Sequence, residues 1–149
     1  MTAPKFTAAN PDFEAAVRAS FARQTLMATL GATLAAVRPG EVDVTMPCTA
    51  RVAQQNGFVH AGAVASIADA ANGYAAWSLA PAGTDVLAVE FKINLMAPAR
   101  GERLVAHGRV LRPGRTLTVC LAEVVAHDGP RATTVATMLS TLIVRPVAG

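Results

Sequence analysis

At 149 residues the chain has the length of one domain that can bury a core of its own, with none left for a second. Hydrophobic residues make up 52% and charged residues 15%, which excludes a disordered chain and points to a large buried surface that includes a contact between subunits. A net charge of +3, seven aromatic residues and no RNP, zinc-finger or helix-turn-helix pattern argue against nucleic acid.

In chain order, residues 11 to 29 are expected to form an amphipathic helix. Asn10 is a capping residue, Pro11 suits the first turn, Phe13, Val17 and Phe21 recur at helical spacing, and Gly31 ends it. Two short strands follow around Pro39-Gly40, with Val42, Val44 and Met46 alternating against Glu41, Asp43 and Thr45 until Pro47 stops the second. From Ala61 to about Leu79 the chain is alanine-rich with almost no charge, the composition of a helix buried on most sides.

Strands are expected over 85–96, 103–111, 116–126 and 132–144, joined by hairpin turns at Arg112-Pro113-Gly114-Arg115 and His127-Asp128-Gly129-Pro130. In the first of them Leu87, Val89, Phe91, Ile93 and Leu95 alternate with Ala88, Glu90, Lys92 and Asn94, which predicts one buried face. The result is an α+β domain in which one curled antiparallel sheet wraps a long central helix, preceded by an N-terminal helix. The organisation expected is a helical leader over 1–30 and the main domain over 31–149.

The start, MTAPKFTAANPDFEAAVRAS, has no basic region followed by an apolar run, and no later segment reaches about 18 uninterrupted apolar residues, so a cytoplasmic chain without membrane contact is expected. Cys48 and Cys120 lie 72 positions apart without a CxxC or a His-rich neighbourhood, so neither a disulfide framework nor a metal site is expected. Arg100, Arg103, Arg109, Arg112 and Arg115 fall within sixteen positions, a clustering that suits a phosphate-bearing small molecule, although solvated hairpin ends would give the same pattern.

The chemistry concentrates in QQNGFVHAGAVASIADAANGYAAW, Gln54 to Trp77. On a helix Gly62, Ser66, Asp69 and Gly73 share one face, so a single carboxylate stands on a stripe of minimal side chains that lets a ligand or another backbone come close. Burying it costs several kcal/mol unless it is bonded or used; a cap or a loop hydrogen bond is the plain alternative. His60 precedes the helix, and the N–H groups of Ala61 and Gly62 form its positive end, where an oxygen gaining negative charge is stabilised. Nine residues at about 1.5 Å each separate His60 from Asp69 by roughly 13 Å, too far for both to touch one carbonyl. If both act, a two-fold partner must supply the second group.

The segments NGFVHAGAVASIADAANGYAA, VEFKINLMAPARG and VLRPGRTLTVCLAEV resemble the PaaI-like branch of the hotdog-fold acyl-CoA thioesterases, over about residues 30 to 145. The resemblance implies the hotdog fold and hydrolysis of an acyl-CoA to free acid and CoA. It implies that the Ala61 amide polarises the thioester carbonyl, with Asp69 of the other subunit as base or nucleophile. Gln54 would position water in place of the usual Asn, and His60 would orient the carbonyl or the loop.

Asn56, Gly62, Ser66, Tyr74 and Ala88 join the substrate-binding candidates, with Tyr74, Trp77 and Phe58 as acyl-pocket residues; core packing of these aromatics is the alternative. Arg112 and Arg115 are candidates for the CoA phosphates. No cofactor beyond the CoA carried by the substrate is expected, and the partner expected is a second copy of the chain, as a dimer or a dimer of dimers. Two departures from the family pattern stand out: Ala61 replaces a Gly, and Ala88 stands where some members place Ser or Thr. The rival functions are a hotdog enoyl-CoA hydratase or dehydratase, whose His/acid arrangement is not found, and a non-catalytic acyl-CoA sensor, for which about thirty leading residues leave no output domain.

Overall fold

The computed structural model describes residues 5–147; the outermost residues of the expected 1–30 leader and 31–149 domain lie outside that range. The leader forms two helices where the sequence predicts one, α1 (Phe13–Phe21) and α2 (Thr25–Leu30). The break falls at Gln24, whose backbone is extended (φ −76°, ψ 102°) as it caps α2. Its side-chain amide donates to the Tyr74 hydroxyl at 2.9 Å, and Ser20 Oγ lies 3.1 Å from the same oxygen. A long-range hydrogen bond thus sets the break in a stretch with no Gly or Pro to announce it. Val17, Phe21 and Met27 are all buried, so both helices pack on the same core. Gly31 closes α2 in the left-handed region at φ 70°, where the missing Cβ removes the steric penalty.

Strands β1 (Thr33–Arg38) and β2 (Glu41–Pro47) form the first hairpin, and α3 (Ala61–Trp77) follows a short 3₁₀ turn at Ala50–Val52. The remaining strands are β3 (Thr84–Leu95), β4 (Arg103–Arg112), β5 (Leu117–Asp128) and β6 (Arg131–Pro146). All pairings are antiparallel in one sheet of order β1-β2-β4-β5-β6-β3, so β3 and β1 are the edges.

The alternating residues Val42, Val44, Met46, Leu104, Ala106, Cys120, Ala122 and Val124 are buried beneath α3. The alanines of α3 have a packing reason. A Cβ on Gly108 of β4 would overlap the Ala71 carbonyl and stand 2.8 Å from the Asn72 nitrogen, so helix and sheet touch backbone to backbone there. Ala68, Ala71 and Ala75 are fully buried along that contact, where larger side chains would hold the layers apart. Asn72, also fully buried, donates to Ser140 Oγ at 2.8 Å and ties α3 to β6.

Two expectations need correction. Strand β3 does not bury one continuous apolar face. Its register with β6 shifts between Ala88 and Glu90, which moves the side chains after the irregularity to the opposite face. Ala88 opposes buried Leu142, whereas past the shift Phe91 opposes Ser140 and Ile93 opposes Met138. Leu87, Val89, Phe91 and Leu95 are 47–56% exposed, because the strand is an edge and carries its apolar residues on both faces. The arginines, in turn, do not cluster. Arg103 and Arg112 are the two ends of β4, about 30 Å apart at 3.3 Å per residue, and Arg109 pairs with Glu123 at 3.1 Å.

Candidate active site

The stripe expected on α3 exists. Gly62, Ser66, Asp69, Gly73 and Trp77 are not buried, while the residues between them mostly are. Cavities flank both ends of it.

At the helix start a cavity of about 560 Å³ is lined by Gln54, Phe58, His60, Ala61 and Val64, with Leu95 to Ala99 forming the opposite wall. His60 is the N-cap residue, with extended backbone (φ −61°, ψ 138°), and its Nδ1 accepts the Gly62 N–H at 2.8 Å. A ring nitrogen that accepts carries no proton, so the ring N–H is on Nε2 and is left as a donor. Its carbonyl accepts from Ala63 at 2.9 Å and Val64 at 3.2 Å. The expectation that both Ala61 and Gly62 offer unpaired amides is therefore corrected: His60 takes that of Gly62, and the Ala61 N–H is left without a partner among the described residues.

The departure at Ala61 is accommodated by the backbone, and the glycine kept at the next position has a packing reason. Ala61 needs no left-handed backbone, since no residue other than glycine has positive φ among the described residues. Gly62 leaves room for the ring, because a Cβ there would stand 3.0 Å from His60 Nδ1. Gln54 lines the cavity, and its Oε1 accepts from the Asn56 amide, leaving its NH₂ group to turn elsewhere. Asn56 lies exposed on the loop and lines neither cavity, so its expected substrate contact is not seen within one chain.

Asp69 lines a second, smaller cleft of about 240 Å³ between α3, the leader and β3. Ser66, Tyr74 and Trp77 come from the helix, Ala88 from the strand, and Ser20 and Gln24 from the leader. The leader residues escape sequence reasoning, since only the fold brings them within reach of Tyr74. Asp69 Oδ1 is buried without a hydrogen-bond partner among the described residues, and burial raises the carboxyl's pKa above its ordinary value. An unpartnered carboxylate oxygen in a cleft is costly to the fold and available to chemistry. Ser66 Oγ donates to the Gly62 carbonyl at 2.7 Å and is already committed to the helix.

Arg112 and Arg115 flank the β4–β5 turn. Val110 N–H binds the Gly40 carbonyl and Gly40 N–H binds Ser78 Oγ, which puts that turn at the C-terminal end of α3, away from His60. Burial pushes the Cys120 thiol up to about 12, which makes it inert packing. Among the described residues no group of three His, Cys, Asp or Glu side chains is placed to hold a metal ion, and no helix is long and apolar enough to cross a membrane.

Residues 56–133 match the model of the thioesterase superfamily. Among solved structures, a thioesterase family protein from Silicibacter pomeroyi is 46% identical, with a TM-score of 0.88 over 90% of this chain and 98% of that one. The PaaI protein of the Escherichia coli phenylacetic acid degradation operon superposes with a TM-score of 0.81 over 95% of this chain and 98% of its own, at 23% identity. A Haemophilus influenzae thioesterase superposes at 0.78 over 87% and 89%, at 19% identity. No curated protein matches the chain by sequence. The fold is the hotdog fold, and the chain belongs to the thioesterase superfamily as a thioester hydrolase.

Proposed function

We propose that the chain hydrolyses acyl-CoA thioesters in a site shared by two protomers. The observation that carries this reading is the division of the stripe on α3: a free amide at Ala61 faces one cavity, and an unpartnered carboxylate at Asp69 faces another. At about 1.5 Å per residue they stand some 12 Å apart on one helix, so a single protomer cannot apply both to one carbonyl.

The edge strand β3 offers the route to a partner. It has an unpaired backbone edge, exposes Phe91 and Leu95, and contributes Val86 and Ala88 to the Asp69 cleft. A second copy joined there by a two-fold axis would lie against the exposed face of α3.

In this arrangement the Ala61 N–H at the positive end of α3 donates to the thioester oxygen, with the outward Nε2–H of His60 beside it. The partner subunit's Asp69 removes a proton from water as the water oxygen bonds the carbonyl carbon. Collapse of the tetrahedral intermediate breaks the C–S bond, and the proton passes to the leaving sulfur. Direct attack by Asp69 gives a mixed anhydride that water then cleaves, with the same net products. Gln54 positions the water through its NH₂ group. Single-turnover hydrolysis in ¹⁸O water separates the routes when water cleaves the anhydride at the Asp69 carbon: that route leaves ¹⁸O in Asp69 and none in the product acid, whereas general-base attack puts ¹⁸O in the product acid.

The deciding experiment is thiol release over a panel of acyl-CoA esters with the wild type and Asp69→Asn side by side. Loss of at least about a hundredfold in turnover is expected, the contribution of a general base; unchanged turnover defeats the role given to Asp69.

A further inference from the structure

The cleft that holds Asp69 runs on past the carboxylate. One helical turn further along α3 comes Gly73, and next to it Tyr74, about 7.5 Å from Asp69 at 1.5 Å per residue. Glycine inside a helix costs about 1 kcal/mol against alanine. Within one chain nothing requires it here: a Cβ on Gly73 would meet only the Leu142 side chain, at an ordinary contact of 3.8 Å. The bare position keeps a passage open from Asp69 to the far wall, which the leader supplies through Ser20, Gln24, Leu26 and Met27.

That wall offers hydrogen bonds without a cation. Tyr74, itself buried, accepts from the Gln24 side-chain amide at 2.9 Å, and its oxygen lies 3.1 Å from Ser20 Oγ. One proton lies between those two hydroxyls, so the other O–H of the pair has no acceptor among the described residues, whichever oxygen donates. Gln24 Oε1 likewise accepts nothing among the described residues. The cluster thus presents a spare donor and a spare acceptor, the complement of a hydroxyl group. The charges in the cleft are Asp69 and Asp85, and among the described residues no Lys, Arg or His lines it, so a carboxylate would be repelled there. At about 240 Å³ the cleft also falls below the range of roughly 300–1,000 Å³ that drug-sized ligands fill, which suits a short group.

We propose that Ser20, Gln24 and Tyr74 form a specificity subsite that selects short acyl groups with a hydroxyl at the end remote from the thioester and rejects those ending in a carboxylate. Two of the three residues belong to the leader, outside the 56–133 segment that matches the family model, so the leader sets the choice of acyl group while the main domain performs the hydrolysis. The inference rests on the reading of the Asp69 cleft as the place where the thioester is cleaved.

The test uses three CoA esters of one carbon skeleton that end in a hydrogen, a hydroxyl or a carboxylate. In the wild type, kcat/KM for the hydroxyl ester is expected to exceed that of the plain ester by about tenfold, the worth of one or two neutral hydrogen bonds, with the carboxylate ester the poorest. Tyr74→Phe keeps the ring against Phe21 and Trp77 and should bring the hydroxyl-to-plain ratio close to one. Ser20→Ala removes a partner of the same hydroxyl without touching that ring and should lower the ratio too, so the ratio can be read even if Tyr74→Phe does not fold. A wild-type ratio near one, a carboxylate ester used as well as the hydroxyl ester, or variants that slow the hydroxyl and plain esters equally overturn the proposal. Calorimetry separates it from the hydrolytic reading, since binding of the uncleaved esters to Asp69→Asn needs no turnover. Preferential binding of the hydroxyl ester, in a protein whose wild type releases thiol from none of the three, sinks the hydrolytic reading and keeps the subsite. Asp69→Asn inactive on all three esters, beside a wild type that does not tell hydroxyl from plain, sinks the subsite alone.

Discussion

The two ends of the stripe on α3 are built in opposite ways. At the His60 end the ring takes the Gly62 amide and the carbonyl takes those of Ala63 and Val64, which leaves the Ala61 N–H and the ring Nε2–H without a partner among the described residues. At the Asp69 end the carboxylate Oδ1 has no partner among the described residues, while Tyr74 beside it is bonded by residues some fifty positions away. One end is organised by its own sequence neighbours and offers donors. The other is assembled from distant segments and leaves a charge uncompensated. A donor works best when held rigid, and a base works only if nothing else has claimed its lone pairs.

The comparison breaks most sharply at the donor. Ala61→Pro deletes its N–H at the first helical position, where proline is tolerated, and His60 already has the extended backbone that must precede proline. We expect kcat to fall about 10²- to 10³-fold with the fold intact, the loss typical of one oxyanion donor. Unchanged kcat in a folded variant would remove Ala61 from the mechanism.

Asp69→Asn is expected to cost at least about a hundredfold in turnover while raising the melting temperature near neutral pH. The sign follows from the raised pKa. A carboxyl whose folded pKa lies above its unfolded value stabilises the fold below the unfolded pKa and loses that contribution as pH rises through the folded one. At neutral pH ionised Asp69 therefore weakens the fold, and the gain from Asn should vanish in acid. By the same cause the acid limb of the rate profile should lie above the ordinary carboxylate range; a midpoint at an ordinary Asp value would show the carboxylate to be solvated in the working enzyme.

A smaller effect is expected at the histidine ring. His60→Ala loses a helix cap of about 1 kcal/mol and keeps the Ala61 amide, so kcat should fall by less than about tenfold if His60 only positions the helix entrance. A loss as large as that of Ala61→Pro would make its Nε2–H a direct donor to substrate. The mildest change is Gln24→Ala, which removes one hydrogen bond to Tyr74 and should lower stability by about 1 kcal/mol in denaturant titration. If it leaves stability untouched, the break between α1 and α2 is not held by that bond.

Much of the molecule was legible in the chain because it depends on short-range pattern. The alternation in β2, the alanine run of α3, the hairpin turns and the stripe Gly62-Ser66-Asp69-Gly73 are consequences of periods two and 3.6, which any window of the sequence displays. The placement of His60 at the helix entrance and of Asp69 on the stripe was legible for the same reason, since both follow from the helical period.

Tertiary structure decided what depends on residues meeting from afar. The break at Gln24 answers to Tyr74, the face of β3 to a register irregularity at Ala88, and the dispersal of the arginines to the direction of β4. A strand advances about 3.3 Å per residue, so neighbours in sequence become strangers in space, while segments far apart in the chain carry Ser20, Gln24 and Tyr74 to one cleft. Local pattern specifies elements and their faces; only the packed sheet determines which unpaired groups share a cavity.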